Sequence, residues 1–72
     1  MMEFNMFNYL KLRGFDNTEL ARHFEKIDET NENINMILGK NPGAVLREIK
    51  VTYLDKEKSR IQFDINIEVV NS

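Results

Sequence analysis

The only histidine of the chain is the residue whose type and spacing first suggest chemistry. His23 follows Glu19 by four residues. On a helix both side chains would lie on one face, where they could share a metal ion. Two ligands make an incomplete site, and the sequence supplies neither the nucleophile nor the orienting group that a catalytic base needs. We therefore interpret His23 as a side chain at the edge of the core or of an interface, and we expect no catalytic residue, metal or cofactor.

A second segment, residues 39–43, looks like a phosphate-binding loop because it combines two glycines with Lys40. Its spacing differs from that of a P-loop, and it follows a predicted helix instead of opening one. Gly39 and Pro42 are better explained as a helix stop and a turn.

Charge is distributed unevenly along the chain. The 10 Lys+Arg and 12 Asp+Glu give a formal net charge of −2, whereas dedicated nucleic-acid binders are usually basic. Residues 16–35 carry six acidic against two basic side chains, which is common on a solvent-facing helix. The predicted loop near residues 56–60 is basic, and it offers an alternative function in which the chain contacts nucleic-acid phosphates. The residues that would make this contact are Lys56, Lys58 and Arg60.

Length and composition exclude several classes of protein. Seventy-two residues form one domain, 1–72. A membrane span needs about 18 consecutive apolar residues, and no such stretch exists. The first residues lack the basic segment and apolar core of a secretory signal. Because the chain has no cysteine, disulfides and thiolate metal sites are excluded, and we expect a cytoplasmic protein.

Hydrophobic periodicity predicts four elements. Alternation over residues 2–13 favours a strand, although Met6, Phe7 and Leu10 also suit a short helix. A helix is predicted over 17–38, with Asp16 as N-cap. Asn31 interrupts its apolar stripe and leaves open whether the helix is continuous there or has a frayed or kinked turn. The stripe consists of Leu20, Phe24, Ile27, Ile34 and Leu38. Strands over 44–54 and 60–70 enclose a polar turn at 55–59.

These elements predict an α+β fold, a three-stranded antiparallel sheet with one long helix packed on one face. The order along the chain is β-α-β-β. The last strand alternates most regularly, so we place it in the centre of the sheet, in the spatial order 2-3-1, with Phe63 at the centre of the core.

Some apolar residues do not fit on the covered face of this sheet. A chain this short forms a small core, and oligomerisation is a common remedy. We therefore expect a homodimer in which the uncovered residues form the interface with the second copy or another partner. These candidates are Phe7, Tyr9, Leu46, Leu54 and Val70.

The length, the predicted element order and the Asn- and Ile-rich composition resemble the YopT family of small Bacillus prophage proteins. The resemblance implies a homodimeric phage-type protein without an assigned activity. Together with the residue patterns it leads us to expect a small non-enzymatic module of phage or mobile-element origin that binds other proteins. It transfers no functional residue.

Overall fold

The computed structural model describes residues 3–70, which form three helices followed by a β-hairpin. The helices are α1 (Met6–Leu12), α2 (Asn17–Arg22) and α3 (Phe24–Lys40), and the strands are β1 (Ala44–Tyr53) and β2 (Ile61–Val69). The α+β class agrees with the sequence. The predicted sheet is wrong, because among the described residues there are two strands, in the order β1-β2.

The N-terminal segment is helical and not a strand. Asn5 caps α1 by accepting a 3.1 Å hydrogen bond from the Asn8 N–H. Met6 and Leu10 lie four residues apart and are both fully buried, whereas Leu12, of the same parity, is exposed. The helical period therefore describes this segment better than the alternation that predicted a strand. Met2, the first residue of that predicted strand, lies outside the described residues.

The predicted helix over 17–38 is divided into α2 and α3 at His23. The N-cap prediction is confirmed, because Asp16 Oδ1 accepts a 2.8 Å hydrogen bond from the Glu19 N–H. His23 leaves helical geometry (φ −111°, ψ 24°), and its side chain is buried. Phe24, predicted to belong to the buried stripe, is instead exposed at the start of α3. Gly39 lies inside the last turn of α3, which ends two residues later than predicted.

Asn31 and Asn35 attach the N-terminal segment to α3. Asn31 Oδ1 accepts a 2.7 Å hydrogen bond from the Met6 N–H. Asn35 bonds both backbone groups of Phe4: its Oδ1 accepts from the N–H at 2.9 Å, and its Nδ2 donates to the carbonyl at 2.8 Å. The helix is continuous at Asn31, because α3 runs unbroken through it. The side-chain oxygen of Asn31 accepts from another segment of the chain and not from the helix backbone.

The hairpin β1-β2 is antiparallel, with an irregularity in β1 between Leu46 and Glu48. Arg47 is the extra residue, and it shifts the inward and outward alternation of the β1 side chains by one position. Leu46 therefore faces the helices together with Ile49, although strict alternation in the sequence would place these two side chains on opposite faces. Gly43 lies where the hairpin closes: a Cβ there would approach the Val70 carbonyl oxygen to 2.7 Å. Only glycine fits this close contact.

The core lies between the helices and β1. Met6, Leu10, Ile27, Ile34 and Ile49 are fully buried. Phe63, predicted at the centre of the core, is only half-buried and packs at the margin of this cluster. The physical reason is that β2 has one neighbouring strand and lies at the side of the sheet away from α1. The strand that was predicted to be central is an edge strand.

We predict that Asn35→Ala destabilises the fold by about 1–3 kcal/mol, because it leaves the N–H and carbonyl of Phe4 without partners in a partly buried position. Asn33→Ala is the matched control, since Asn33 is exposed on the same helix and alanine is the better helix former. Urea unfolding measures both variants. Equal stability of the two would show that the Asn35 contacts do not hold the N-terminal segment.

Candidate functional site

The sheet face that packs on the helices is covered on β1 but not along all of β2. Cross-strand pairing places Ile61, Phe63, Ile65, Ile67 and Val69 on this inner face, opposite Tyr53, Val51, Ile49, Leu46 and Ala44. Ile49 is fully buried, yet its partner Ile65 is 37% exposed, and Val69 is 55% exposed. Ile61 is buried, and Phe63 and Ile67 are half-buried, so the inner face of β2 is open at Ile65 and Val69. We call these five β2 residues the β2 strip.

The backbone of β2 is open along the same residues. The Leu54 N–H donates to the Arg60 carbonyl at 2.9 Å, and the Val70 N–H donates to the Gly43 carbonyl at 2.8 Å. In an antiparallel pair the residues that bond across the ladder alternate. The even-numbered residues of β2 therefore bond to β1, and the residues of the β2 strip direct their N–H and C=O groups to the outer edge. No hydrogen bond between residues 3–70 outside the β1–β2 pair engages the outward N–H and C=O groups of the β2 strip.

Helix α3 contributes an exposed apolar side chain on the flank towards β2. Asn31 and Asn35 of this helix face the N-terminal segment. On that side Tyr9 of α1 reaches the edge of β1 that faces away from β2, where its hydroxyl donates to the Ile49 carbonyl at 3.3 Å. Ile37 lies on the opposite flank of α3 by the helical period. It is 42% exposed. The flank with Ile37 and the β2 strip therefore lie on the same side of the molecule.

The five candidate interface residues from the sequence do not form one patch. Phe7 packs against Phe24 with ring centroids 5.4 Å apart, Tyr9 bonds to Ile49, and Leu46 packs against the core. Leu54 and Val70 are about half exposed, but they lie at opposite ends of the hairpin. Sequence reasoning missed Ile65, Val69 and Ile37, because it placed β2 in the middle of a sheet. The regular apolar alternation of β2 was the available signal.

The three candidate phosphate contacts are exposed, and two of them, Lys58 and Arg60, have different surroundings. The Lys58 ammonium lies 5.3 Å from the centre of the Tyr53 ring, and Lys58 has the positive φ of 59° that the turn requires. Arg60 lines a separate concavity beside α2. Asp55 organises the loop by accepting hydrogen bonds from the Ser59 hydroxyl and from the N–H groups of Ser59 and Arg60. These bonds, above all that from the Ser59 hydroxyl, lower the pKa of Asp55. Phosphate contact stays a prediction that no geometric observation favours.

The concavity between the α2–α3 junction and the hairpin loop has a volume of about 750 Å³. Arg22, Lys26 and Arg60 line it, but so do Glu25 and Glu29, so its walls carry both signs of charge. Leu54, one of the candidate interface residues, forms part of the apolar wall. This mixed and open surface does not select a ligand class.

His23 and Glu19 belong to a cluster around Tyr53. The Tyr53 hydroxyl donates to Glu19 Oε2 at 2.9 Å, and the His23 and Tyr53 ring centroids are 5.9 Å apart. Burial raises the pKa of the Tyr53 phenol above its ordinary value of 10.0, and the bond to the Glu19 carboxylate raises it further because the neutral phenol is the donor. The cluster connects α2 to the end of β1.

No group of three or more His, Cys, Asp or Glu side chains in 3–70 could hold a metal ion. None of the helices in that range combines the length and the hydrophobicity that a membrane span requires.

Comparisons with family models, with curated proteins and with solved structures find no match to the chain. The resemblance to the YopT family stays a prediction. It rests now on length and composition, since the one-helix, three-strand order that also suggested it is not observed.

The raised pKa of Tyr53 leads to a prediction about pH. Since the folded state holds the phenol proton more tightly than the unfolded state, its contribution to stability is fully present below pH 10.0 and is lost as the pH rises through the pKa of the folded state. The stability advantage of the wild type over Tyr53→Phe should therefore shrink above pH 10. Urea unfolding over this pH range measures it. The advantage of Glu19→Gln over Glu19→Gln with Tyr53→Phe should shrink less, and an advantage independent of pH in the wild type would contradict the assignment.

Proposed function

We propose that the chain is a small, non-enzymatic protein-interaction module that works as a homodimer. The observation that carries the proposal is the β2 strip, because it combines the exposed side chains of Ile65 and Val69 with a nine-residue strand whose outward backbone groups have no partner within residues 3–70. Surfaces of this kind mark interaction sites in folded proteins.

The size of the chain favours a second copy as the partner. A two-stranded hairpin is marginally stable at best by itself, and a chain of this length buries a limited apolar surface. Here the helices cover β1 and leave β2 partly open, so association would bury apolar surface that the single chain leaves in water. A homodimer buries this apolar surface whenever the protein concentration exceeds the dissociation constant of the dimer.

The polar clusters support a non-enzymatic role because they serve the fold. Asn31 and Asn35 bind the backbone of the N-terminal segment, Glu19 accepts from Tyr53, and Asp55 organises the hairpin loop. Each of these groups is occupied by a partner in its own chain and lies apart from the others. The open surface of the molecule is the apolar one.

The setting in which the module works belongs to the same proposal. Nine Asn and seven Ile residues support an origin in a phage or mobile element with an AT-rich genome. The lack of cysteine supports a cytoplasmic location. A host protein is the partner class that such a module would engage in addition to its own second copy.

Light scattering after size-exclusion chromatography tests the proposal. A mass of about 17 kDa at micromolar concentration, twice the 8.5 kDa of one chain, is the expected result. A mass of one chain at every accessible concentration would refute the homodimer. In parallel, a DNA or RNA fragment that shifts at low salt with the wild type, but not with Lys56→Glu and Lys58→Glu together, would favour the phosphate-binding alternative.

A further inference from the structure

We infer that the second copy pairs through the outer edge of β2, antiparallel to β2 of the first copy, with Ile65 opposite Ile65 across a two-fold axis. The inference rests on the proposed homodimer and names its interface. It produces a continuous four-stranded sheet in the order β1-β2-β2-β1.

The backbone supplies the first argument. The outward N–H and C=O groups of β2 belong to the odd-numbered residues 61–69, as the bonds at both ends of the hairpin require. Two such edges brought together around Ile65 align odd with odd residues, so every outward donor meets an outward acceptor. A register shifted by a single residue on one strand would place outward groups against inward ones and lose the ladder.

The inner-face side chains supply the second argument. In this register Phe63 lies opposite Ile67 of the second copy, and Ile61 lies opposite Val69. Both pairs are apolar, and aromatic side chains opposite β-branched ones are favourable cross-strand neighbours. The most exposed members of the β2 strip, Val69 and Ile65, would be covered by the partner strand.

The polar face excludes the two nearest registers that keep the backbone alignment. With Ile65 opposite itself, Asp64 faces Asn66 of the second copy, and Gln62 faces Glu68, so no two carboxylates are opposite. Shifting the centre to Asp64 places Asp64 opposite Asp64, and shifting it to Asn66 places Asp64 opposite Glu68 twice. Like charges directly opposite each other destabilise a strand pair. On its other side, within the same chain, Asp64 pairs with Lys50 of β1. Registers centred on Phe63 or Ile67 also oppose no two carboxylates, but they pair five residues of β2, whereas the Ile65 register pairs all nine.

The helices are compatible with this arrangement. A two-fold axis perpendicular to the sheet keeps the helices of both copies on the same face. Because Ile37 lies on the flank of α3 towards β2, the two Ile37 flanks would face each other above the strip, while α1 remains on the far side of each β1.

Engineered cysteines report the register, and the natural chain contains no cysteine that would interfere. Ile65→Cys should cross-link to itself on mild oxidation, because Cα atoms of a hydrogen-bonded antiparallel pair are about 5.5 Å apart, within disulfide range. Asn66→Cys, the adjacent control, should not, since residue 66 then faces residue 64 and lies diagonal to its own copy, about 7–8 Å away. Cross-linking of Asn66→Cys alone, or of mixed Gln62→Cys and Asn66→Cys, without that of Ile65→Cys would overturn the register.

A variant that blocks the β2 edge tests the edge pairing separately from dimerisation. Ile65→Lys should give the mass of a single chain while circular dichroism shows the fold is kept, and Val45→Lys should remain dimeric. Val45 is the matched control because it is similarly exposed, at 41%, but lies in β1 on the opposite face of the sheet. If the wild type is a dimer that survives Ile65→Lys and does not cross-link at residue 65, the edge pairing is wrong and the homodimer stands. A monomeric wild type would overturn both.

Discussion

The arrangement of the whole chain depends on two asparagine side chains that bind backbone on another segment. Asn31 and Asn35 project from one flank of α3 and hold the N–H groups of Met6 and Phe4 and the Phe4 carbonyl. A buried backbone group without a partner is costly, so these three bonds determine where the N-terminal segment can lie. Once they form, Met6 and Leu10 of α1 are directed into the space between α3 and β1, where both become fully buried.

The position of α1 explains why the sheet has two strands among the described residues. With α1 beside α3, Tyr9 reaches the outer side of β1 and its hydroxyl binds the Ile49 carbonyl. The segment that could have paired with β2 as a third strand is therefore engaged elsewhere. The helices cover β1, and β2 is left with one neighbour, an exposed edge and a partly exposed inner face.

The part of this fold that the sequence predicts is the part stabilised by contacts between residues close together along the chain. Local signals were sufficient for the hairpin and for the Asp16 cap, because turn residues and capping side chains act within a few positions. Asn31 looked like a flaw in an apolar stripe, since its partner Met6 is 25 residues away. The bulge at Arg47 and the break at His23 depend on packing and leave no periodic trace in the sequence. The same holds for the contacts that Phe7, Tyr9 and Leu46 make within their own chain. The residues of the β2 strip were recognised as apolar, but their exposure depends on an absent neighbour strand.

The two edges of the sheet differ in a way that bears on function. Soluble proteins usually protect an exposed edge with a bulge, a proline, an inward-pointing charge or a covering element. The β1 edge has two of these devices, the irregularity at Arg47 and the Tyr9 hydroxyl. The β2 edge has none of these four over Ile61–Val69: the strand pairs without a bulge of its own, contains no proline, and directs only apolar side chains to the inner face. Its charged side chains, Asp64 and Glu68, lie on the outer face and leave the backbone of the edge uncovered. An edge left open on one side only, in a chain that protects the other, is the pattern expected when that edge has a strand to pair with.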